Sequence, residues 1–345
     1  MLLNSSLFFA LSNLRLLKGD GSELSQEDLI KLWEFYNLMI GSTNSSLISR
    51  GESDRNLMKQ FNVDSQNPIA LAECLFMTGE KGRICWAENG GMDPDDLSTE
   101  NFLNICQSLA KYIDEGMNSG GNRAKRIKVF CEREDKFCKG LKNKAAIVKA
   151  YEKLKPEDKR KVNLIYLALA HTINDREYKE TSGYLSTTTN DYIADRFAKD
   201  ACIYGWVPKN TWNSRARRRT IDLVDTNNSL ALRHTGLPFC ESAVFPEQRE
   251  IAIRCGLLPH FIIGFTVGRC FYVNTAIFTA IGKMHGLSSF RELSSFRTNI
   301  QQFGLEINQE NFEEFCQRTN FKRFYTFDGE NYTLYKVVHK QGGSR

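Results

Sequence analysis

The sequence predicts an α+β protein, with helices dominating the first third of the chain and strands prominent in the remainder. The helical prediction rests on Leu24–Met77 and Leu97–Glu115, where apolar residues recur every three or four positions. The strand prediction rests on short apolar runs closed by glycine or proline, such as Cys202–Pro208. We therefore expect three parts: a helical domain over 1–118, a second domain over 119–285 and a small C-terminal α/β extension over 286–345.

The composition is ordinary for a globular protein of 345 residues. Hydrophobic residues make up 41% and charged residues 25% of the chain, and no apolar run approaches the roughly 20 residues of a membrane-spanning helix. The ten cysteines include no C-x-x-C pair, so we expect reduced, mostly buried thiols and no metal site. The net charge of +5 permits an anionic ligand without arguing for nucleic acid, and Arg215–Arg219 is interpreted as a solvated loop.

The N-terminal part begins with an apolar stretch over residues 1–15, which lacks a basic leader and is interpreted as a helix rather than a secretory signal. Ser25-Gln-Glu-Asp is a capping signature for the next helix. A glycine-rich breaker over residues 117–122 predicts the domain boundary near residue 118.

The next element, Ile127–Glu134, is predicted to be a strand in which Ile127, Val129, Cys131 and Arg133, spaced two residues apart, fall on one face. Arg133 ends the apolar face. Its planar guanidinium binds phosphate oxygens two at a time, which favours a buried anion site, although an arginine facing solvent at a strand end fits equally well.

Two helices come next, Lys144–Leu154 and Lys161–Ile173. His171 lies near the end of the second, where a histidine is usually structural and stabilised by the helix dipole. Gly183–Thr187 is then predicted to be a strand that ends in a hydroxyl cluster, with at least one hydroxyl facing across the sheet. The helix after it would turn Ile193, Ala194 and Phe197 inward.

The most informative stretch is the strand that begins near Gln248 and Glu250. Strand side chains alternate between faces, so an amide and a carboxylate would share one face, while Ile251 and Ile253 pack behind them. Such packing holds a reactive carboxylate rigidly. The alternative is a surface strand with a polar outer face. Further on, Cys270–Ile281 fits strand or helix, Gln309–Gln317 is predicted helical, and a hairpin is predicted around Asp328-Gly329.

Three pieces in this order resemble the mono-ADP-ribosyltransferases of the arginine–serine–glutamate class, which includes many bacterial toxins. The strand ending at Arg133 would be the first motif. Tyr184-Leu-Ser-Thr-Thr-Thr, followed by Ala194-Asp-Arg-Phe197, is similar to the second, and Gln248-x-Glu250 to the third. The resemblance covers about residues 125–270 and implies a split β-sandwich catalytic core. A competing frame at Glu241-Ser-Ala places Ala243 where the essential carboxylate belongs.

The resemblance also implies a chemistry and its residues. NAD would be the substrate, its nicotinamide–ribose bond would break, and ADP-ribose would pass to a protein acceptor that is not arginine, because Gln248 replaces a glutamate. Glu250 would stabilise the sugar cation and Ser186 would orient it. The implied NAD-binding residues are Arg133 for the pyrophosphate, with His171 as its alternative, and Thr187, Thr188, Phe197 and Tyr184 near the nicotinamide.

Three other interpretations stay open: an NAD glycohydrolase on the same fold, a catalytically degenerate binding protein with that fold, and a nucleic-acid acceptor, which we rank lowest. Family habit implies secretion without a signal peptide into a host cytosol, or a cytoplasmic protein.

Overall fold

The computed structural model describes residues 5–41, 45–61, 63–64, 66–80, 97–173, 184–208, 223–225, 232–254, 257, 261–278, 323–327 and 332–336. The chain divides into two compact units. The first contains residues 1–83, 188–221 and 256–345, and the second contains residues 84–187 and 222–255. The domain boundaries expected at 118 and 285 stay predictions.

Helices and strands alternate irregularly along the described residues, which makes this a mixed α/β protein. In chain order the elements are α1 (Ser5–Asn13), β1 (Arg15–Lys18), α2 (Gln26–Gly41), β2 (Ser45–Glu52), α3 (Asp54–Gln60), α4 (Pro68–Thr78), α5 (Thr99–Asn118), α6 (Gly121–Arg133), α7 (Asp135–Gly140), α8 (Lys144–Glu152), α9 (Pro156–Ile173), β3 (Tyr184–Thr188), α10 (Asp191–Phe197), β4 (Ala201–Pro208), β5 (Leu223–Asp225), β6 (Glu250–Arg254), β7 (Ile262–Val267), β8 (Cys270–Val273), β9 (Arg323–Phe327) and β10 (Tyr332–Lys336).

Five strands of the first unit lie side by side in the order β1-β8-β7-β4-β2, and its strands β9 and β10 form a separate pair. β1 and β8 are parallel and the other neighbours are antiparallel, so the sheet is mixed. Strand β4 confirms the prediction over Cys202–Pro208. The predicted C-terminal hairpin is confirmed by the antiparallel pair β9 and β10, in which Phe327 faces Tyr332. Gln309–Gln317 and Arg215–Arg219 lie outside the described residues.

Strand β2 was not predicted, because its sequence Ser-Ser-Leu-Ile-Ser-Arg-Gly-Glu carries no alternation of apolar and polar residues. Pairing defines it instead. β2 is antiparallel to β4 along its whole length, and Ser49 also pairs with Thr188, the last residue of β3. Non-local backbone hydrogen bonds therefore override a weak local signal.

Gly51 lets α10 approach β2 closely. A Cβ atom on Gly51 would lie well under 3.0 Å from the carbonyl oxygen of Ala194 and from the amide nitrogen of Ala198. Ile193 and Ala194 are buried as predicted, but Phe197 is 58% exposed, so its inward placement was wrong. The short α10 ends at Phe197, and its contact with β2 runs through the small residues instead.

The second unit is largely helical, with α5 to α9 around a core in which the rings of Phe102 and Tyr151 stack at 4.1 Å. Its strands have the order β3-β6-β5, and β5 and β6 are antiparallel. The predicted strands near Glu250 and Gly183–Thr187 are confirmed as β6 and β3. The predicted helices are confirmed as α8 and α9, of which α9 begins earlier, at Pro156.

The strand predicted over Ile127–Glu134 is wrong, because these residues belong to α6 up to Arg133. The buried residues are Ile127 and Phe130, three positions apart, whereas Val129 is 57% exposed. A three-residue spacing is that of a helix face. The apparent two-residue alternation arose because Val129 was counted as an inward residue.

No helix within the described residues is long and apolar enough to cross a membrane.

Replacing Gly51 by alanine tests the close approach of α10. We expect Gly51→Ala to lower the free energy of unfolding by at least about 1–3 kcal/mol, because backbone atoms rather than a flexible side chain occupy the space. Urea unfolding followed by circular dichroism measures the change. Gly41→Ala is the matched control, since a Cβ there meets nothing within 4 Å. It should change stability by less than about 1 kcal/mol. Equal stability of the two variants would contradict the packing.

Candidate functional site

A buried carboxylate, Glu250, forms the centre of the candidate site in the second unit. Glu250 is the first residue of β6 and only 5% exposed. Its Oε1 accepts a hydrogen bond from Ser186 Oγ at 2.5 Å, and its Oε2 accepts one from Thr172 Oγ1 at 2.7 Å. Both carboxylate oxygens therefore have a hydroxyl donor, as a buried carboxylate requires.

The site continues to His171, which is also buried and lies in the last turn of α9. Its Nε2 lies 2.9 Å from Ser186 Oγ. His171 and Thr172 are consecutive, so one end of one helix contacts the serine and the carboxylate together. His171 lies in the last turn of α9, where the sequence placed it beside the helix dipole, and it contacts Ser186 in addition.

The order of these contacts separates the site from a serine hydrolase. In a catalytic triad the carboxylate orients the imidazole, and the imidazole takes the proton of the serine. Here Ser186 lies between His171 and Glu250 and donates its proton to the carboxylate. The arrangement therefore fits a carboxylate held by Ser186 better than a serine activated by His171.

Gln248 does not share a strand face with Glu250, so that prediction was wrong. Pro246–Gln248 form a 3-10 turn, and Arg249 adopts the left-handed conformation with φ 43° and ψ 47°. A left-handed residue breaks the two-residue alternation of a strand. Arg249 is the one non-glycine residue with positive φ among the described residues. Such backbone strain often accompanies functional sites.

Arg133 holds the segment before this turn. Its Nη2 donates to the carbonyl oxygen of Ala243 at 3.1 Å, and its Nε lies 3.6 Å from Glu134 Oε1. Because Arg133 ends a helix rather than a strand and already binds a backbone carbonyl, it lacks the placement from which its pyrophosphate role was inferred.

Two further side chains, Glu134 and Arg126, support the same segment. The buried carboxylate of Glu134 accepts hydrogen bonds from the backbone amide of Glu241 at 2.9 Å and from Ser242 Oγ at 2.5 Å. Closer to the turn, Arg126 Nη1 lies 2.6 Å from Glu247 Oε1. Helix α6 thus anchors the segment over 241–247 at several points.

Three other residues predicted to bind NAD make structural hydrogen bonds with their hydroxyls. Tyr184 Oη donates to the carbonyl of Leu164 at 3.0 Å, Thr187 Oγ1 donates to the carbonyl of Ile251 at 2.8 Å, and Thr188 Oγ1 accepts from the amide of Asn190 at 2.8 Å. Tyr184 is 2% exposed, so its side chain belongs to the core.

Sequence reasoning missed Thr172. Thr172 contacts Glu250 across 78 positions, and its only local signal is its place at a helix end beside His171.

Cysteine chemistry is not favoured by the thiols. The described cysteines are free, and Cys74, Cys106, Cys202 and Cys240 are buried. Burial raises the pKa of the Cys138 thiol to about 12, which keeps it protonated at neutral pH. Among the described residues no group of three or more His, Cys, Asp or Glu is placed to hold a metal ion.

Comparison with known protein families, with curated proteins and with solved structures found no match to this chain.

Replacing Glu134 tests whether α6 anchors the segment over 241–247. We expect Glu134→Ala to speed hydrogen exchange of the Glu241 amide at least about tenfold, because that amide loses a charge-assisted hydrogen bond. Exchange measured by mass spectrometry on the peptide covering this segment gives the change. Glu132→Ala, an exposed carboxylate on the same helix, is the control and should leave exchange unaltered. If the Glu241 amide exchanged equally slowly in both variants, Glu134 would not anchor the segment over 241–247.

Proposed function

We propose that this protein is an NAD-dependent mono-ADP-ribosyltransferase that transfers ADP-ribose to a protein side chain other than arginine. The observation that carries the proposal is the bond from Ser186 on β3 to the buried Glu250 at the start of β6. The resemblance assigns the orienting serine and the essential carboxylate to these two positions. The split β-sandwich and action in a host cytosol belong to the same proposal.

Cleavage of the nicotinamide–ribose bond requires a fixed negative charge near the ribose. Nicotinamide leaves with the electron pair of its bond to the ribose, and the sugar carbon becomes oxocarbenium-like, as in glycoside hydrolysis. A nucleophilic atom of the acceptor then forms the new bond to that carbon and gives up its proton. A carboxylate held in place before the reaction stabilises the developing cation without reorganising, which is usually the largest catalytic contribution.

The hydrogen bonds hold Glu250 in place for this role. Ser186 donates to one carboxylate oxygen and Thr172 to the other, so both oxygens are fixed by hydroxyl donors. Ser186 and Thr172 are themselves only half-buried.

Gln248 would select the acceptor from the 3-10 turn before β6. Because that turn lies outside the strand and its segment is anchored on α6, the amide is positioned independently of Glu250. An amide side chain carries no charge to attract a guanidinium, which supports an acceptor other than arginine.

The charge of Glu250 is the first test. We expect Glu250→Gln to lower NAD cleavage about a hundredfold to a thousandfold while the protein stays folded, because the amide keeps the shape and loses the charge. Release of nicotinamide and labelling of a cell lysate from labelled NAD measure both steps.

Glu241→Gln is the matched control, since Glu241 is exposed, pairs with Arg233 and belongs to the competing frame. It should keep full activity. Full activity of Glu250→Gln would reject the proposal, and nicotinamide release without any protein labelling would identify an NAD glycohydrolase instead.

A further inference from the structure

We propose that His171 and Thr172, consecutive at the end of α9, are positioning residues that hold Glu250 in its reactive orientation. The inference rests on the proposed function, since it assigns these residues to the same carboxylate. It names two side chains on a helix outside the three strand motifs.

Counting protons gives each hydrogen bond a direction. Ser186 has one hydroxyl proton, and its contact with Glu250 Oε1 at 2.5 Å uses it, because an ionised carboxylate can only accept. The contact between Ser186 Oγ and His171 Nε2 at 2.9 Å must then be donated by the imidazole. His171 therefore carries a proton on Nε2, and this bond fixes the rotation of the Ser186 hydroxyl towards Glu250.

The same count applies to Thr172. Its hydroxyl lies 3.0 Å from the carbonyl of Ala168 and 2.7 Å from Glu250 Oε2, and one proton can serve only one of these acceptors. The bond to the carboxylate is shorter and is assisted by charge, so it takes the proton. The helix end thus supplies a direct bond to Oε2 and an indirect one, through Ser186, to Oε1.

Two donors on opposite oxygens define the plane of the carboxylate, whereas one donor would leave it free to rotate. Loss of either donor is therefore expected to reduce the rate of the chemical step more than the binding of NAD. A purely structural role would instead lower stability and leave the activity of the folded fraction unchanged.

Thr172 is tested with a pair of substitutions. We expect Thr172→Val to lower kcat for NAD cleavage about tenfold to a hundredfold, with KM for NAD within about twofold of wild type, because one charge-assisted hydrogen bond is lost. Thr172→Ser keeps the hydroxyl and should restore kcat. Thr235→Val is the control, since the Thr235 hydroxyl is buried and donates to the backbone carbonyl of Leu232, away from Glu250.

His171 is tested by a spectroscopic measurement that does not depend on activity. We expect the nitrogen chemical shifts of the neutral His171 ring to show a protonated Nε2, and Ser186→Ala to alter them. The exposed His234 is the reference histidine and should be unaffected by Ser186→Ala.

The outcomes separate the two proposals. If wild type cleaves NAD and Thr172→Val keeps its kcat, or Thr172→Ser fails to restore it, the positioning role is overturned while the proposed function stands. If Nδ1 carries the proton, the role of His171 is overturned. If wild type does not cleave NAD, the proposed function fails, and with it the catalytic purpose of the arrangement, whereas the nitrogen shifts still decide whether His171 donates to Ser186.

Discussion

The structure around the candidate site depends on keeping the Glu250 carboxylate buried with a hydroxyl donor on each oxygen. Removing an ionised carboxylate from water costs several kcal/mol unless hydrogen bonds replace the lost hydration. Ser186 and Thr172 supply those bonds, one to each oxygen. β3 and α9 must therefore reach Glu250 with a hydroxyl at the right place, and both elements are fixed by packing through Tyr184, whose phenol binds the α9 backbone at Leu164.

The end of α9 is an unfavourable place for a negative charge, which explains why the donors concentrate there. The carbonyl groups at a helix C-terminus carry partial negative charge, so a nearby carboxylate is destabilised by about 0.3–1 kcal/mol. Thr172 donates directly to Glu250, and His171 contacts Ser186, which donates to the other oxygen of Glu250. Without such donors the same helix end would repel Glu250.

The sequence predicted the strands of the site better than its contacts. β3 and β6 have strong strand signals. The prediction that a hydroxyl of β3 faces across the sheet agrees with the hydrogen bond from Ser186 to Glu250. Thr172 could not be found, because its contact joins positions 78 residues apart and no spacing encodes it. The position of Gln248 was predicted wrongly, because an arginine such as Arg249 gives no sequence signal for a left-handed backbone conformation.

Arg133 and Gln248 lie elsewhere than the sequence predicted. In the structure, Glu250 and Gln248 are held by different elements. Glu250 begins a strand and is bonded on both oxygens, which suits a group that must not move as charge develops. Gln248 lies on a turn whose preceding segment is attached to α6 through Arg133 and Glu134. Under the proposed function, the segment before β6 would serve the acceptor, and Glu250, held by Ser186 and Thr172, would serve NAD cleavage.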